Sequence, residues 1–153
     1  MTSHLNDTQL AARDQFARQS HRYAKGHLLE NVEDVAEAVK GMSLPEPAEV
    51  LDVATGAGHT GLYFAGLGHS VTLTDIAQPM LDRACELAAS RRLAVRTNRH
   101  TAEDLPYPDA TFDLVTCRVA AHHFSSPEAF VRESARVLKP GGYLLVIDGS
   151  VDD

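Results

Sequence analysis

Short apolar segments alternate with helix-like segments from Val50 to the end of the chain, and this alternation limits the fold more than any other feature. Strands that are apolar on both faces belong in parallel sheets covered by helices. A chain that alternates strand and helix builds such a sheet. Its 153 residues amount to a single domain. We therefore predict one α/β domain, a doubly wound and mostly parallel sheet with helices on both faces.

The apolar runs and their breakers locate the elements of this domain. The predicted strands cover residues 49–54, 70–74, 93–97, 112–117 and 143–148. Helices are expected at 61–67, from Pro79 and from Ser126, the last ending at 140–142. This last helix is expected to bury four apolar residues, which are Phe130, Val131, Ala135 and Leu138. Two further helices are expected before the sheet, over about 7–25 and from Leu28 to a stop at Gly41.

Composition excludes several classes of protein. With 14 basic and 21 acidic residues the formal net charge is -7, which argues against a nucleic-acid surface. No apolar run exceeds five residues, too short for a transmembrane helix. The two cysteines, Cys85 and Cys117, lack the spacing of a zinc site. We expect a cytoplasmic protein with no membrane span, no nucleic-acid partner and no metal.

The segment after the first strand carries a candidate ligand-binding loop. Gly56, Gly58 and Gly61 form a GxGxxG pattern between a predicted strand and a predicted helix. Glycine at these positions lets backbone amides approach a ligand and directs the helix N-terminus toward it. The alternative is a plain turn between strand and helix. In an open α/β sheet, ligands bind outside the carboxyl ends of the strands, which is where this loop lies.

Two acidic residues at strand ends indicate which ligand the loop binds. Asp75 ends the second strand, where a carboxylate accepts hydrogen bonds from both ribose hydroxyls of an adenosine; a solvated strand-end carboxylate is the alternative. Asp52 lies within the first strand, where a carboxylate is costly without a partner. The ammonium and sulfonium of S-adenosylmethionine would supply one. The alternative for Asp52 is a carboxylate satisfied by loop amides.

Four segments in order resemble the successive motifs of class I S-adenosylmethionine-dependent methyltransferases. They read VLDVATGAGHTG, VTLTD, TAEDLPYPDATFDLVTCRVAAHHF and VRESARVLKPGGYLLVID. The sequence is most similar to the branch that includes ubiquinone and menaquinone biosynthesis methyltransferases (methyltransferase type 11), from about Phe16 onward. The resemblance implies a Rossmann-like fold, S-adenosylmethionine as cofactor and a small-molecule methyl acceptor. It also implies an N-terminal lid over residues 1–27 and an α/β core over 28–153.

The resemblance also assigns residues to the methionine and ribose parts of the cofactor. These parts are expected among five residues of the first strand and its loop, namely Asp52, Ala54, Thr55, Gly56 and Gly58. Cys117, at the end of the fourth strand, is expected to place its backbone carbonyl near the methionine ammonium. Tyr23 matches an aromatic residue of the lid that closes over the cofactor. Asp75 takes the role in ribose binding already inferred from its position.

The adenine end is assigned with one departure from the family pattern. The resemblance implies that Ile76 packs on the adenine face and that the Ala102 amide donates to a ring nitrogen. The family often has aspartate where this chain has Thr101, so the usual acceptor for the adenine amino group is missing. The Thr101 hydroxyl or the Glu103 carboxylate is the expected substitute.

His122 and His123 lie where the family often has histidine facing the transferred methyl group. Either is a candidate general base, since imidazole titrates near neutral pH. The alternative is that one caps the following helix and the other packs beneath the loop. Methyl transfer from a sulfonium also proceeds by in-line positioning alone, without a base.

The family fold continues past the fifth strand with antiparallel strands, whereas this sequence ends at Asp153. The expectation is a fold without those strands and an exposed fifth-strand edge, rich in Leu144, Leu145, Val146 and Ile147, that favours a homo-oligomer. Three explanations of such an edge are open, and a fragment of a longer protein is favoured over a chain completed by a partner and over a homo-oligomer that shields the edge. Two functional alternatives stay open: a non-catalytic cofactor-binding module and a nicotinamide-dependent oxidoreductase.

Overall fold

The computed structural model describes residues 31–118 and 124–147 of the chain. Within them the helices are α1 (Glu33–Val39), α2 (His59–Gly66), α3 (Gln78–Ser90) and α4 (Pro127–Val137). The strands are β1 (Glu49–Asp52), β2 (Ser70–Asp75), β3 (Arg96–Arg99), β4 (Phe112–Arg118) and β5 (Leu138–Ile147). The alternation of strands and helices predicted after Val50 is confirmed.

The strands form one sheet in the order β3-β2-β1-β4-β5, and all four neighbouring pairs are parallel. The chain builds outward from β1 to β3 and then returns to place β4 on the other side of β1. The order therefore reverses between β1 and β4, which is the switch point where doubly wound sheets bind ligands. The predicted doubly wound, Rossmann-like sheet is confirmed.

Side chains that alternate along β1 feed two separate cores. Val50 packs with α1, α2 and α3 residues such as Val35, Leu62 and Ala84 in one buried cluster. Leu51 faces the opposite way and packs in a second cluster, with Phe130 of α4. Because neighbouring residues of a strand point to opposite faces, one apolar strand serves both layers of helices. The prediction of helices on both faces is therefore confirmed.

Strand β3 differs from its prediction. It covers Arg96–Arg99 instead of 93–97, and all four of its residues are exposed. Leu93 and Val95 are half-buried and pack against the first cluster from the segment before the strand. Since β3 is at the edge of the described sheet and pairs only with β2, it does not need two apolar faces.

Helix α4 turns a different face toward the core from the one that the sequence predicts. It buries Phe130, Ser134 and Val137, whereas Val131 is 50% exposed. The prediction followed the apolar residues, but the buried stripe passes through a serine. The helix ends at Val137, and β5 begins directly at Leu138, so the predicted stop at 140–142 lies inside β5.

The predicted residues Ala135 and Leu138 also lie off the buried face, because Ala135 is exposed and Leu138 is half-buried in β5. The remaining boundary shifts are small, as β1 ends two residues before 54 and α2 begins two residues before 61. The helix predicted over about 7–25 lies outside the described residues, as does Leu28 itself. The sequence predicts a helix from Leu28 onward, but α1 begins at Glu33, and the described residues 31 and 32 before it are not helical. No helix in the described ranges has the length and apolar character needed to cross a membrane.

Candidate functional site

The carboxyl ends of β1, β2, β3 and β4 bring most of the predicted site residues to one edge of the sheet. Asp52 ends β1, Asp75 ends β2, and Cys117 is the last residue but one of β4. Other predicted residues follow these strands, namely Ala54, Thr55, Gly56, Gly58, Ile76, Thr101, Ala102 and Glu103. The last three predicted residues, Tyr23, His122 and His123, lie outside the described residues.

The Asp52 carboxylate is 1% exposed. The hydrogen-bond donors identified for it among the described residues are neutral groups. Its Oδ1 accepts from the Thr116 hydroxyl at 2.7 Å, and its Oδ2 accepts from the Thr55 hydroxyl. The backbone N–H of Gly61, in the first turn of α2, is a third donor. Burial raises the pKa of Asp52 to about 6, and these donors oppose the rise. The carboxylate thus has partners inside the chain, mainly hydroxyls rather than the loop amides that were the alternative.

The glycine loop between β1 and α2 adopts backbone conformations that side chains disfavour. Gly56 has φ 59° and Gly58 has φ 98°. A Cβ at Gly58 would lie 2.9 Å from the Cβ of Ala84, so this glycine lets the loop approach α3. A Cβ at Gly56 would have no atom within 4 Å. The lack of a side chain at Gly58 therefore allows close packing against α3, while Gly56 borders open space at the carboxyl edge of the sheet.

Asp75 connects the end of β2 to this loop. Its Oδ2 accepts from the Gly56 N–H at 3.0 Å, and its Oδ1 accepts from the Ala77 N–H at 2.9 Å. The residue is 3% exposed, and burial raises the pKa of its carboxyl to about 6 against the effect of these N–H donors. The Ile76 N–H is a third donor to this carboxylate, which has about four lone-pair sites. Asp75 can therefore hold the glycine loop and keep acceptor capacity for a hydroxyl group of a ligand.

A histidine and a tyrosine order the segment after β3. The His100 Nδ1 lies 2.7 Å from the carbonyl oxygen of Thr101, and its Nε2 lies 2.8 Å from the Tyr107 hydroxyl. A carbonyl only accepts, so Nδ1 carries the proton and Nε2 accepts from Tyr107. Burial lowers the pKa of His100, which agrees with a neutral ring. Sequence reasoning missed this contact, because His100 looked like one of several scattered histidines.

The side chain of Glu103 reaches the start of α4. Its Oε2 accepts from the Ser125 N–H at 2.9 Å, the Ser125 hydroxyl at 3.1 Å and the Ser126 N–H at 3.3 Å. The predicted Ser126 cap is confirmed, because its hydroxyl accepts from the Ala129 N–H at 3.2 Å. One oxygen of Glu103 thus contacts the residues that precede α4, while Glu103 and Thr101 are the two residues predicted to replace the missing adenine acceptor.

Arg118, the last residue of β4, joins the site edge to α1. Its Nη2 lies 3.1 Å from Asp34 Oδ1 and its Nε lies 3.2 Å from Asp34 Oδ2, so the guanidinium and the carboxylate pair side by side. The Arg118 side chain is only 7% exposed. This pair was not predicted, since only the fold brings the two residues together. Among the residues that the structure describes, no group of three or more histidine, cysteine or acidic side chains is arranged to hold a metal ion.

Comparisons with known proteins agree with this geometry. Residues 51–146 match a family described as a methyltransferase domain. The protein called uncharacterized methyltransferase YcgJ, from Bacillus subtilis, is 37% identical over 134 residues, which are 87% of this chain and 53% of that protein. A demethylmenaquinone methyltransferase from Deinococcus radiodurans is 38% identical over 104 residues, 67% of this chain and 43% of that protein.

A solved structure extends the likeness to the fold. The crystal structure of a SAM-dependent methyltransferase from Aquifex aeolicus superposes with a TM-score of 0.76 at 29% identity, covering 90% of this chain and 76% of that one. The chain spans about half the length of the two curated relatives from Bacillus subtilis and Deinococcus radiodurans.

Proposed function

This chain belongs to the methyltransferase domain family, and on that basis we propose that it binds S-adenosylmethionine and transfers the methyl group to a small-molecule acceptor. One observation carries the proposal. Asp75 and the glycine loop meet at the carboxyl edge of the sheet, where Asp75 holds the Gly56 N–H at 3.0 Å. This edge, beside the point where the strand order reverses, is where sheets of this kind bind nucleosides.

The residues present fit such a cofactor. Open space beside Gly56 admits a ligand against the loop backbone, and the acceptor capacity left on the Asp75 carboxylate suits the ribose hydroxyls. Ile76 follows Asp75 and is half-buried, a position suited to packing on an adenine ring. Thr101 and Ala102 are buried at the carboxyl side of β3. Two further residues complete the proposed cofactor site. Cys117 is proposed to lie near the methionine end, and Tyr23 is proposed to belong to a lid over the cofactor.

The bound cofactor supplies an electrophilic methyl group, and the residues of the chain supply its position. In the transfer a methyl–sulfur bond breaks as a bond to the acceptor forms, leaving S-adenosylhomocysteine, and an acceptor oxygen or carbon acid gives up a proton. We propose His122 or His123 as the base that takes this proton. The relative from Deinococcus radiodurans suggests a quinone-like or phenolic acceptor.

Isothermal titration of the chain with S-adenosylhomocysteine and with NADH tests the proposed cofactor. We expect saturable binding of S-adenosylhomocysteine and none of NADH. Saturable NADH binding alone would replace the proposal with an oxidoreductase. A methyl-transfer assay on phenolic and quinone-like acceptors separates an enzyme from a non-catalytic module, which would bind the cofactor without turnover.

The proposal includes a cytoplasmic location and association between copies of the chain. Cys85 and Cys117 form no disulfide bond, which suits a reducing compartment. Strand β5 is an edge of the described sheet and pairs only with β4. An unpaired apolar edge favours pairing with a second copy.

A further inference from the structure

Arg136, on the last turn of α4, uses all five donors of its guanidinium group. Nη1 donates to the Tyr107 carbonyl at 2.8 Å and to Asp109 Oδ1 at 2.9 Å. Nη2 donates to the Leu105 carbonyl at 2.8 Å and to Glu133 Oε1 at 3.0 Å, and Nε donates to Glu133 Oε2 at 2.8 Å. A single side chain thereby fastens residues 105–109 to the helix.

Glu133 completes the attachment from the other direction. Its Oε1 accepts from the Leu105 N–H at 2.9 Å, so both backbone polar groups of Leu105 are held by α4. The Arg136 guanidinium lowers the pKa of the Glu133 carboxyl, which keeps it charged at neutral pH. Charge-assisted hydrogen bonds of this kind are stronger than neutral ones and fix geometry as well.

The same loop is attached again at the opposite end of α4. Glu103 accepts from Ser125 and Ser126, which immediately precede the helix. Phe130 lies between these two attachments on α4, and it packs in one buried cluster with Ala102 and Leu105 of the loop. The loop is therefore held along the length of the helix, and its position follows the position of α4.

We infer that α4, through Glu133 and Arg136, positions the Ala102 N–H so that the site selects an adenine base. This inference rests on the proposed function and deepens it. Ala102 lies three residues before Leu105, and the proposed adenine site is at Thr101 and Ala102. Glu133 and Arg136 do not contact the base; they are positioning residues that act through the loop.

The chemistry of the base explains why this position decides selectivity. Adenine presents an unprotonated ring nitrogen that accepts the Ala102 N–H. In hypoxanthine, the corresponding nitrogen N1 carries a proton, so two donors would face each other. A site built to pair with one pattern rejects the other strongly, provided that its donor is held in place. If the loop is loosened, the Ala102 N–H turns or moves away from the base, and the two bases then bind with similar affinity.

Titration of three proteins with S-adenosylhomocysteine and S-inosylhomocysteine tests the inference. The proteins are the wild type, Arg136→Lys and the control Arg132→Lys. Lysine keeps the charge of Arg136 but has three donors on one nitrogen and cannot bridge five acceptors. Arg132 is exposed on the same helix, so its replacement by lysine is the same chemical change outside the attachment. We expect the wild type and the control to prefer the adenosyl ligand by about tenfold or more.

For Arg136→Lys we expect this preference to fall to about threefold or less, with a folded circular dichroism spectrum. If Arg136 had a purely structural role, Arg136→Lys would weaken the binding of both ligands equally. A ratio of the two affinities that is unchanged in Arg136→Lys would therefore overturn the inference. Should that variant fail to fold, Glu133→Gln provides the same test. A wild type that binds the adenosyl ligand without base preference refutes the inference alone. A wild type that binds neither ligand refutes the proposed function and the inference with it.

Discussion

The Asp75 carboxylate accepts from three backbone N–H groups, those of Gly56, Ala77 and Ile76, and the first of them belongs to the glycine loop. Asp75→Ala removes these acceptors and those proposed for the ribose hydroxyls. Hydrogen bonds to charged groups contribute about 1.5–3 kcal/mol each. We therefore expect the affinity for S-adenosylhomocysteine to fall by at least about tenfold. Isothermal titration measures the loss, with Asp82→Asn, an exposed acid on α3, as the control. An unchanged dissociation constant in Asp75→Ala would place the cofactor elsewhere.

Burial of Asp52 gives a pH dependence with a definite sign. Its pKa is raised from 3.8 to about 6, so between these values the native state holds more protons than the unfolded state. The stability contributed by this group is fully present below the window, falls as pH rises through it, and stays at the lower level above it. Asp52→Asn removes the effect. We expect the unfolding free energy of the wild type, minus that of the variant, to decrease from about pH 4 to about pH 6.5.

Urea denaturation at a series of pH values measures this difference, and Asp82→Asn again provides the control. Subtracting the variant cancels the carboxyl groups that do not interact with Asp52. The repulsion between Asp52 and Asp75 does not cancel, but it is a smaller cause of the raised Asp52 pKa than burial and acts in the same direction. A difference that stays constant or rises across the window would show that Asp52 is not destabilised by burial.

Single residues were predictable from the sequence where their signal is local. The glycine loop and Asp75 follow from a short pattern and its distance along the chain. The partners of these residues do not. Thr116 bonds to Asp52 across 64 positions, and Arg118 pairs with Asp34 across 84. Only the parallel register of β1 and β4 places Thr116 beside Asp52. A threonine directly after the apolar residues Leu114 and Val115 was the one signal that could have drawn attention to it.

At the scale of elements, Gly61 controls the distance between α2 and the sheet. A Cβ there would lie 2.1 Å from Leu73 Cδ2 and 3.2 Å from Asp52 Oδ2. Leu73 is fully buried among the side chains of the first cluster, so its methyl group can shift only against other core residues. We expect Gly61→Ala to destabilise the protein by about 1–3 kcal/mol, as overpacking does. Thermal denaturation measures the loss.

Gly66 provides the matched control on the same helix. A Cβ at Gly66 would have no atom within 4 Å, and alanine reduces the entropy of the unfolded chain. We expect Gly66→Ala to leave stability unchanged or raise it by up to about 1 kcal/mol. Equal effects at the two positions would contradict the close approach of α2 to β2.

The elements themselves were predicted where apolar pattern and burial coincide, as in β2 and β4. The apolar pattern gave wrong predictions where apolar residues and buried residues do not coincide. Strand β3 has no apolar residue and is held by backbone pairing with β2. On α4 the buried face includes Ser134, so the apolar residues alone gave the wrong rotation. Both errors arise because tertiary neighbours, rather than local composition, decide which residues pair or become buried.

At the scale of the whole molecule, the two edges of the described sheet differ in character. Strand β3 has the sequence RTNR, with arginine at both ends, and its Arg96 pairs with Glu49 at 3.0 Å. Charged side chains of this kind discourage another strand from pairing. Strand β5 ends in Leu144, Leu145, Val146 and Ile147, and Val146 is 40% exposed. Only the β5 edge therefore combines unpaired backbone groups with an apolar surface.

We expect copies of the chain to associate through β5, and the choice of edge is testable by placing the same charge on either one. Val146→Lys puts a cation on the β5 edge, where two copies would bring like charges together, and should shift the protein toward the monomer. Thr97→Lys makes the equivalent change on β3, where no association is expected, and should leave the mass distribution as in the wild type. Light scattering across a range of concentrations reports the average mass. A wild type that stays monomeric throughout, or equal shifts in both variants, would show that the β5 edge does not mediate association.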